Sequence, residues 1–342
     1  MDRREFLLGT LGATALFSQF GCEVFRTAPT RTAYLYDDLF LEHDSGDNHR
    51  ESPARLRAIR DRILPADWDP YLLPLQGSTA SLETVQLVHT PEYVELVRTE
   101  CESGIRRLST GDTNISPASY GVALAGVGGV VAATDQVMGG EAKNAFCAVR
   151  PPGHHSSAER GMGFCLFNNV AIAARHAQHT YGVERVLIAD WDVHHGNGTQ
   201  DTFYSDGSVL FMDTHQHPLY PGTGMLDETG EGPGVGLTMN RPFPPGSGND
   251  EIIGAFRNDF LPAALAFQPE LVLVSAGFDS RVDDPLGSFE VTDDGFRELT
   301  RIMLEVADAT SGGRLVSVLE GGYNPEGLAL AVSAHLDELT KA

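Results

Sequence analysis

The chain has 342 residues, of which 42% are hydrophobic, a length and composition that suit one large α/β domain or two smaller ones. Its formal net charge is −23, which argues against nucleic acid or any other partner bound through a phosphate backbone. The 4 cysteines show no paired spacing, so the sequence predicts neither a disulfide framework nor a thiolate zinc site.

The N-terminal stretch is typical of an export signal. Arg3 and Arg4 precede an apolar run over residues 7–20, which is too short to span a bilayer comfortably. Because the arginine pair resembles the twin-arginine motif, we expect residues 1–28 to be a signal peptide and the protein to be periplasmic. Cys22 offers a lipid-anchoring site as an alternative, and a first helix of the domain is the competing interpretation.

Residues 29–342 predict a single domain. The segment 120–138 resembles a membrane span, but its many small residues and Asp135 favour a helix buried against a sheet, so no transmembrane segment is expected after signal removal. Residues 222–248, rich in Gly and Pro, predict a loop. Elsewhere, continuous apolar strands alternate with helices, which predicts a single open, mostly parallel sheet covered on both faces. The predicted strands are 31–36, 144–149, 185–190, 209–214, 271–276 and 315–319, and the predicted helices are 53–64, 90–103, 120–138, 169–179, 250–266, 293–309 and 325–339.

The later strands end in polar or glycine-rich motifs. Because ligands bind outside the carboxyl ends of the strands in open parallel sheets, we expect these motifs to converge on one site. The five strand ends read RPPGHH from Arg150, DWDVH from Asp190, DTH from Asp213, AGFD from Ala276 and EGGY from Glu320.

Three residues form a candidate site for a divalent metal. Asp192 and His194 are two positions apart, so their side chains point to one side of an extended chain, and Asp279 ends another strand. Two carboxylates and one imidazole leave positions open for water and substrate, as a catalytic metal requires. Nitrogen and oxygen ligands favour zinc, with iron or cobalt as alternatives. A capped turn with a surface histidine is the competing interpretation.

His154 and His155 place two imidazoles beside this candidate metal site. If Asp190 orients one and Asn197 the other, the carboxylate favours an imidazolium and the neutral amide leaves its histidine free to act as a base. Amide hydrolysis requires such a base and an acid for the leaving group. Tyr323, which follows two glycines, supplies a phenol that could polarise a carbonyl opposite the metal.

The motifs together resemble the zinc-dependent histone deacetylase family, with the arginase–deacetylase fold, over nearly the whole chain after the predicted signal. The set is RPPGHH, GFC, DWDVHHGNG, PGTG, AGFDS and EGGYN. The resemblance implies one catalytic zinc ion, Zn²⁺, on the three candidate ligands named above. It also implies that Tyr323 donates a hydrogen bond in the transition state, and that Asp190 orients His154 and helps to hold a structural potassium ion, K⁺.

The resemblance further implies a narrow channel for an acyl-lysine-like side chain. Gly163 and Phe164 would line this channel, and residues 215–220, beginning with His215, would form another wall. By the same resemblance, Arg55 would correspond to the arginine of an internal product tunnel.

Three positions refine the comparison with the family: two bear on the subfamily and one on the potassium site. Asn197 stands where class I members usually carry an aspartate, so the chain is similar to class II and bacterial class II-like deacetylases. Leu286 stands where polyamine-selective relatives place an acidic gatekeeper, which lowers the expectation of acetylpolyamine specificity. Asp213 departs from the serine commonly found near the potassium site.

The sequence therefore predicts a zinc amidohydrolase that removes an acetyl or another small acyl group from an acyl-lysine-like amide. An acetylpolyamine amidohydrolase is one alternative, and a non-catalytic protein that binds acyl amides is another. An arginase-like two-metal enzyme is disfavoured, because the run around Asp192 lacks the extra aspartates that a second metal needs. Export would make a small acylated amine or a released acyl-lysine peptide the expected partner.

Overall fold

The computed structural model describes residues 31–63 and 71–342 and arranges eight strands of these residues in one open, all-parallel sheet. The order across the sheet is β2-β1-β3-β8-β7-β4-β5-β6. The predicted parallel α/β architecture is confirmed, whereas the predicted signal peptide, 1–28, lies outside the described residues. The strands are β1 (Thr32–Leu35), β2 (Leu72–Leu75), β3 (Asn144–Cys147), β4 (Val186–Asp190), β5 (Val209–Gln216), β6 (Thr238–Phe243), β7 (Leu271–Ala276) and β8 (Leu315–Leu319).

Helices cover both faces of the sheet, and their ends follow local sequence signals. In α3, the Thr90 hydroxyl accepts a hydrogen bond from the Tyr93 amide at 3.2 Å, Pro91 opens the first turn, and Gly104 ends the helix with φ +78°. A π-helical turn, Phe256–Phe260, joins α7 to α8. The helices are α1 (Pro53–Ile63), α2 (Leu82–Val85), α3 (Pro91–Ser103), α4 (Ser119–Met138), α5 (Asn169–Tyr181), α6 (Asn197–Phe203), α7 (Asn249–Ala255), α8 (Leu261–Phe267), α9 (Asp293–Thr310) and α10 (Pro325–Leu339).

The long apolar helix predicted from the sequence is α4, and it packs inside the protein. A Cβ atom on Gly128 would clash with the carbonyl group of Ser78, and one on Gly129 would clash with the side chain of Leu35. These two glycines therefore let α4 lie directly against neighbouring backbone and against β1. Among the described residues, α4 is the helix long and apolar enough to cross a membrane, and its burial identifies it as a core helix.

Two strands were not predicted, and both lie at an edge of the sheet. β2 forms one edge, and β6 forms the other within residues 222–248, which the sequence indicated to be a loop. Each contains a proline, Pro74 or Pro242, and each is only partly buried. An edge strand tolerates proline and needs no continuous apolar run, so the pattern that marks the buried central strands is absent from both.

Candidate functional site

The central strands bring the predicted motifs to one edge of the sheet. β3, β8, β7 and β4 are consecutive neighbours and all run in the same direction, so their carboxyl ends lie side by side. His154 and His155 follow β3, Tyr323 follows β8, Asp279 follows β7, and Asp192 and His194 follow β4. The convergence expected from the sequence is therefore a property of the strand order.

Asp192, His194 and Asp279 form a compact, buried cluster. One potential ligand atom from each lies within 4.8 Å of the other two. His194 Nδ1 is 3.0 Å from Asp192 Oδ1 and 3.2 Å from Asp279 Oδ2. All three ligands predicted from the sequence thus point into the same small space.

The hydrogen bonds of the two carboxylates show that this cluster suits a bound cation. The Val193 amide donates to Asp279 Oδ1 and the Gly321 amide donates to Asp192 Oδ2, which fixes both carboxylates. Asp279 Oδ2 is buried and accepts no hydrogen bond from the described residues. Burial and the charge of Asp192 raise the pKa of Asp279 to about 7. Two adjacent buried carboxylates of this kind are costly unless a cation binds them.

Two glycines make room for the carboxylates of this cluster. A Cβ atom on Gly277 would clash with the Asp192 carboxylate, and one on Gly321 would clash with the carboxylate of Asp279. The glycines of the AGFD and EGGY motifs therefore allow two strand ends to approach the carboxylates closely. The donor set of two oxygens and one nitrogen suits zinc.

His154 and His155 lie side by side and have different partners. The His154 Nδ1 atom is 3.0 Å from Asp190 Oδ2, and the His155 Nδ1 atom is 2.8 Å from Asn197 Oδ1. Burial alone would lower the pKa of His154, but the carboxylates of Asp192 and Asp190 outweigh it and hold that pKa well above its usual value. Burial and the neighbouring imidazoles hold the pKa of His155 well below its usual value. The pair therefore contains one charged and one neutral ring near neutral pH.

Tyr323 is held by groups on both sides of its turn. The Tyr323 amide donates to Asp284 Oδ2 at 2.6 Å, and the Arg55 guanidinium carbon lies 4.9 Å from the centre of the Tyr323 ring. Arg55 also donates to the carbonyl oxygens of Gly322 and Glu320, at 2.6 and 2.5 Å. Burial, which outweighs the Arg55 charge, raises the pKa of Tyr323 well above its usual value, so the phenol remains a hydrogen-bond donor.

A cavity of about 250 Å³ leads to the metal-ligand cluster. Its lining is mainly apolar and aromatic, and it includes the polar side chains of His155, His194 and Tyr323. Gly163 and Phe164 have φ angles of +55° and +68°, and a Cβ atom on Gly163 would clash with the His155 ring. The other residues that line the cavity are Asp112, Leu219, Tyr220 and Leu286.

Comparison with known proteins identifies the family of this chain. A family model described as the histone deacetylase domain matches residues 49–339. The chain belongs to the histone deacetylase family.

Its relatives come from distant organisms. A probable deacetylase of Archaeoglobus fulgidus is 40% identical over 298 residues, covering 86% of this chain and 82% of the relative. The human polyamine deacetylase HDAC10 is 40% identical over 320 residues, covering 90% of this chain and 46% of the relative. Among solved structures, the crystal structure of the HDA15 HD domain superposes with a TM-score of 0.87 at 38% identity, covering 91% of this chain and 90% of that one. This match is consistent with the arginase–deacetylase fold expected from the sequence.

His215 is a predicted substrate contact that the structure places elsewhere in this member of the family. It is buried, its Nδ1 atom lies 2.6 Å from Asp213 Oδ1, and its ring centre is 4.9 Å from that of His195. His215 does not line the cavity, because it still belongs to β5, where its side chain is buried beside Asp213 and His195. Of the predicted wall 215–220, Leu219 and Tyr220 line the cavity.

Asp213 uses both of its carboxylate oxygens within the protein. Oδ2 accepts a hydrogen bond from the Gly196 amide at 2.9 Å, and Oδ1 lies beside His215. Asp190, its neighbour across β4 and β5, accepts from the Asp192 amide at 3.0 Å. The structural potassium ion near Asp190 stays a prediction.

Sequence reasoning missed two residues that organise the site. Glu320 Oε2 accepts hydrogen bonds from the Gly153 and His154 amides, at 2.6 and 3.1 Å, and so fixes the turn that carries both histidines. Asp112 lies at the mouth of the cavity, where its Oδ1 accepts from the Gly163 amide at 2.7 Å. Glu320 opens the EGGY motif, which is a local signal for its role, whereas no local pattern marks Asp112.

Proposed function

We propose that this protein is a zinc-dependent amidohydrolase that removes an acetyl or another small acyl group from an acyl-lysine-like amide. The observation that carries the proposal is the cluster of Asp192, His194 and Asp279 beside a largely apolar cavity that His155, His194 and Tyr323 line. A zinc ion held by the three cluster residues would supply Lewis-acid chemistry to the amide carbonyl.

The two histidines divide the proton transfers. The neutral His155 donates its Nδ1 hydrogen to Asn197 Oδ1, which leaves Nε2 free to take a proton from water at the cavity. The same atom can then return the proton to the departing amine. His154, which is held as an imidazolium beside Asp190, stabilises negative charge that develops nearby.

Tyr323 acts on the acyl group. Its phenol remains protonated and faces the cavity, so it donates a hydrogen bond to the carbonyl oxygen as that atom gains negative charge. Arg55 and Asp284 position the phenol by holding the turn on which it lies. The apolar wall accepts the alkyl chain of the substrate.

A substrate panel tests the proposal directly. Purified, zinc-loaded protein is incubated with Nε-acyl-lysine peptides and acylated polyamines, and the released amines are measured by mass spectrometry. We expect amine release from at least one acyl-lysine substrate. Release from none of them contradicts the proposal, and tight binding without turnover would instead identify a binding protein.

Acetylpolyamine hydrolysis is a second candidate, supported by the 40% identity to the human polyamine deacetylase HDAC10. Against it, Leu286 gives the cavity an apolar side chain where a carboxylate would pair with a second cationic amine. The ratio of kcat/KM for an acetylated polyamine to that for an acetyl-lysine peptide decides between the two. We expect this ratio to be below one.

We also propose that residues 1–28 export the protein to the periplasm by the twin-arginine route, on the strength of the Arg3-Arg4 pair and the apolar run that follows. The substrate would then be a small acylated amine or a released peptide. Fractionation of cells that express the full chain tests this. Recovery of the protein only with the cytoplasmic fraction contradicts it.

A further inference from the structure

Loops that are far apart in the chain build the wall of the cavity. The Phe164 loop, residues 160–164, carries Gly163 and Phe164, and the Tyr220 loop, residues 217–222, carries Leu219 and Tyr220. A third segment, the rim loop of residues 109–113, carries Asp112. The width of the cavity depends on how these loops are held together.

The rim loop and the Phe164 loop are tied to each other at several points. Besides the bond from the Gly163 amide to Asp112, the Thr110 hydroxyl donates to the Gly161 carbonyl at 3.1 Å. Arg160 Nε donates to the Thr110 carbonyl at 3.0 Å. These hydrogen bonds join the two loops into one unit, and this unit carries Phe164.

The Tyr220 hydroxyl joins the other part of the wall to this unit. It donates to Asp112 Oδ1 at 3.3 Å, the same oxygen that accepts from the Gly163 amide. The centre of the Tyr220 ring lies 5.3 Å from that of His155 and 6.3 Å from that of His194. The position of this ring therefore affects how much space a substrate has directly above the cluster.

We propose that the Tyr220 hydroxyl is a specificity-determining group. Through Asp112 it holds the Tyr220 ring beside the Phe164 loop, which keeps the cavity narrow enough for an unbranched alkyl chain and excludes a branched one. A phenylalanine at this position keeps the ring but loses the bond to the carboxylate, so the loop can move outward. The substrate part of this inference rests on the proposed function, whereas the tie between the loops does not.

Two matched substrates test the selectivity. One is a capped Nε-acetyl-lysine, and the other carries one additional methyl branch on the δ carbon of the side chain. For Tyr220→Phe, we expect the branched-to-unbranched ratio of kcat/KM to rise about two- to tenfold, the range of one hydrogen bond. Tyr181→Phe is the control, because it removes a hydroxyl that donates to another aspartate, Asp135, at 2.9 Å and does not line the cavity.

Substitution of the hydrogen-bond acceptor, Asp112, tests whether the Tyr220 hydroxyl acts through this carboxylate. Asp112→Ala should raise the ratio at least as much as Tyr220→Phe does. The double variant should then match Asp112→Ala alone, because both changes break the same tie. Full additivity of the two effects contradicts a shared hydrogen bond.

Hydrogen exchange provides a readout that needs no activity. In Tyr220→Phe, the His217 amide, which donates to the Phe243 carbonyl at 2.8 Å at the start of the Tyr220 loop, should exchange about two- to tenfold faster than in the unmodified protein, while the Gly163 amide stays protected. In an active enzyme, a substrate ratio that changes less than twofold overturns the inference and leaves the proposed function intact. If the unmodified protein hydrolyses neither substrate, the proposed function is wrong, and hydrogen exchange alone tests the contact between the loops. Faster exchange in Tyr220→Phe then supports the hydrogen bond between Tyr220 and Asp112, and equal exchange contradicts it.

Discussion

The cavity has a floor and a wall, and the two are built differently. The floor consists of buried groups that follow central strands, namely His155, His194 and Tyr323, which line the cavity, together with Asp192 and Asp279, which form the metal-ligand cluster with His194. The wall consists of loop residues that are partly or largely exposed, namely Asp112, Phe164, Leu219, Tyr220 and Leu286. Rigid, buried positions suit chemistry that tolerates little misplacement, and loops suit selectivity. Substitutions in the floor should therefore change rate, and substitutions in the wall should change substrate preference.

The largest effect should come from the base in the floor. His155→Ala removes the Nε2 atom that takes the proton, so kcat should fall by about 10²- to 10⁴-fold. Zinc content, measured by atomic emission, should stay at one ion per chain, because His155 is not in the ligand cluster. His179→Ala, which removes an exposed imidazole on α5, is the control. A loss smaller than tenfold would show that His155 is not the base.

Tyr323→Phe should give the next largest loss. It deletes one donor to the developing negative charge and keeps the ring that packs against Arg55 and Phe164, so kcat should fall by about 10²- to 10³-fold. KM and zinc content should change little, and steady-state kinetics with metal analysis measures all three. If zinc is lost together with activity, the role assigned to the phenol is wrong.

The raised pKa of Asp279 in the floor should make zinc binding depend on pH. Because the pKa of Asp279 is raised from 3.8 to about 7, this group destabilises the metal-free fold progressively as the pH rises through that interval. Protonation of the same carboxylate opposes zinc at low pH. Zinc should therefore raise Tm more at pH 8 than at pH 5 in scanning calorimetry. Equal shifts at the two pH values would contradict the raised pKa, and Asp279→Asn should reduce the difference.

The floor could be predicted from the sequence because its signals are local. Each of its residues follows a short apolar run, as Asp192 and His194 follow Val186–Ala189, and parallel strands place such ends at one edge. The spacing of Asp192 and His194 further sets their common direction. Asp279 could be added because its strand has the same pattern. The family match and the observed cluster agree with that reasoning.

The wall could not be predicted to the same extent, because its contacts are long-range. Asp112 and Gly163 are 51 positions apart, and nothing near Asp112 in the sequence indicates the contact. The resemblance to the family placed His215 in the wall, but the alternation of side chains along β5 puts it on the same face as Asp213, where it is buried. The edge strands β2 and β6 were missed for a related reason, since partly exposed strands lack continuous apolar runs.

The smallest expected effect concerns charge in the wall. Leu286→Glu adds a carboxylate at the cavity, where it can pair with the second ammonium group of an acetylated polyamine. An exposed ion pair of this kind is worth about 0.2–1 kcal/mol, so the ratio of kcat/KM for acetylpolyamine over acetyl-lysine should rise by at most about fivefold. Leu286→Gln has a similar shape without the charge and should leave the ratio unchanged. The rise for Leu286→Glu should shrink as salt is added, because salt screens exposed charges.

A salt-independent rise, or an equal rise for Leu286→Gln, would assign the effect to shape and not to charge. Either result would make this part of the wall select substrates sterically, as proposed for Tyr220.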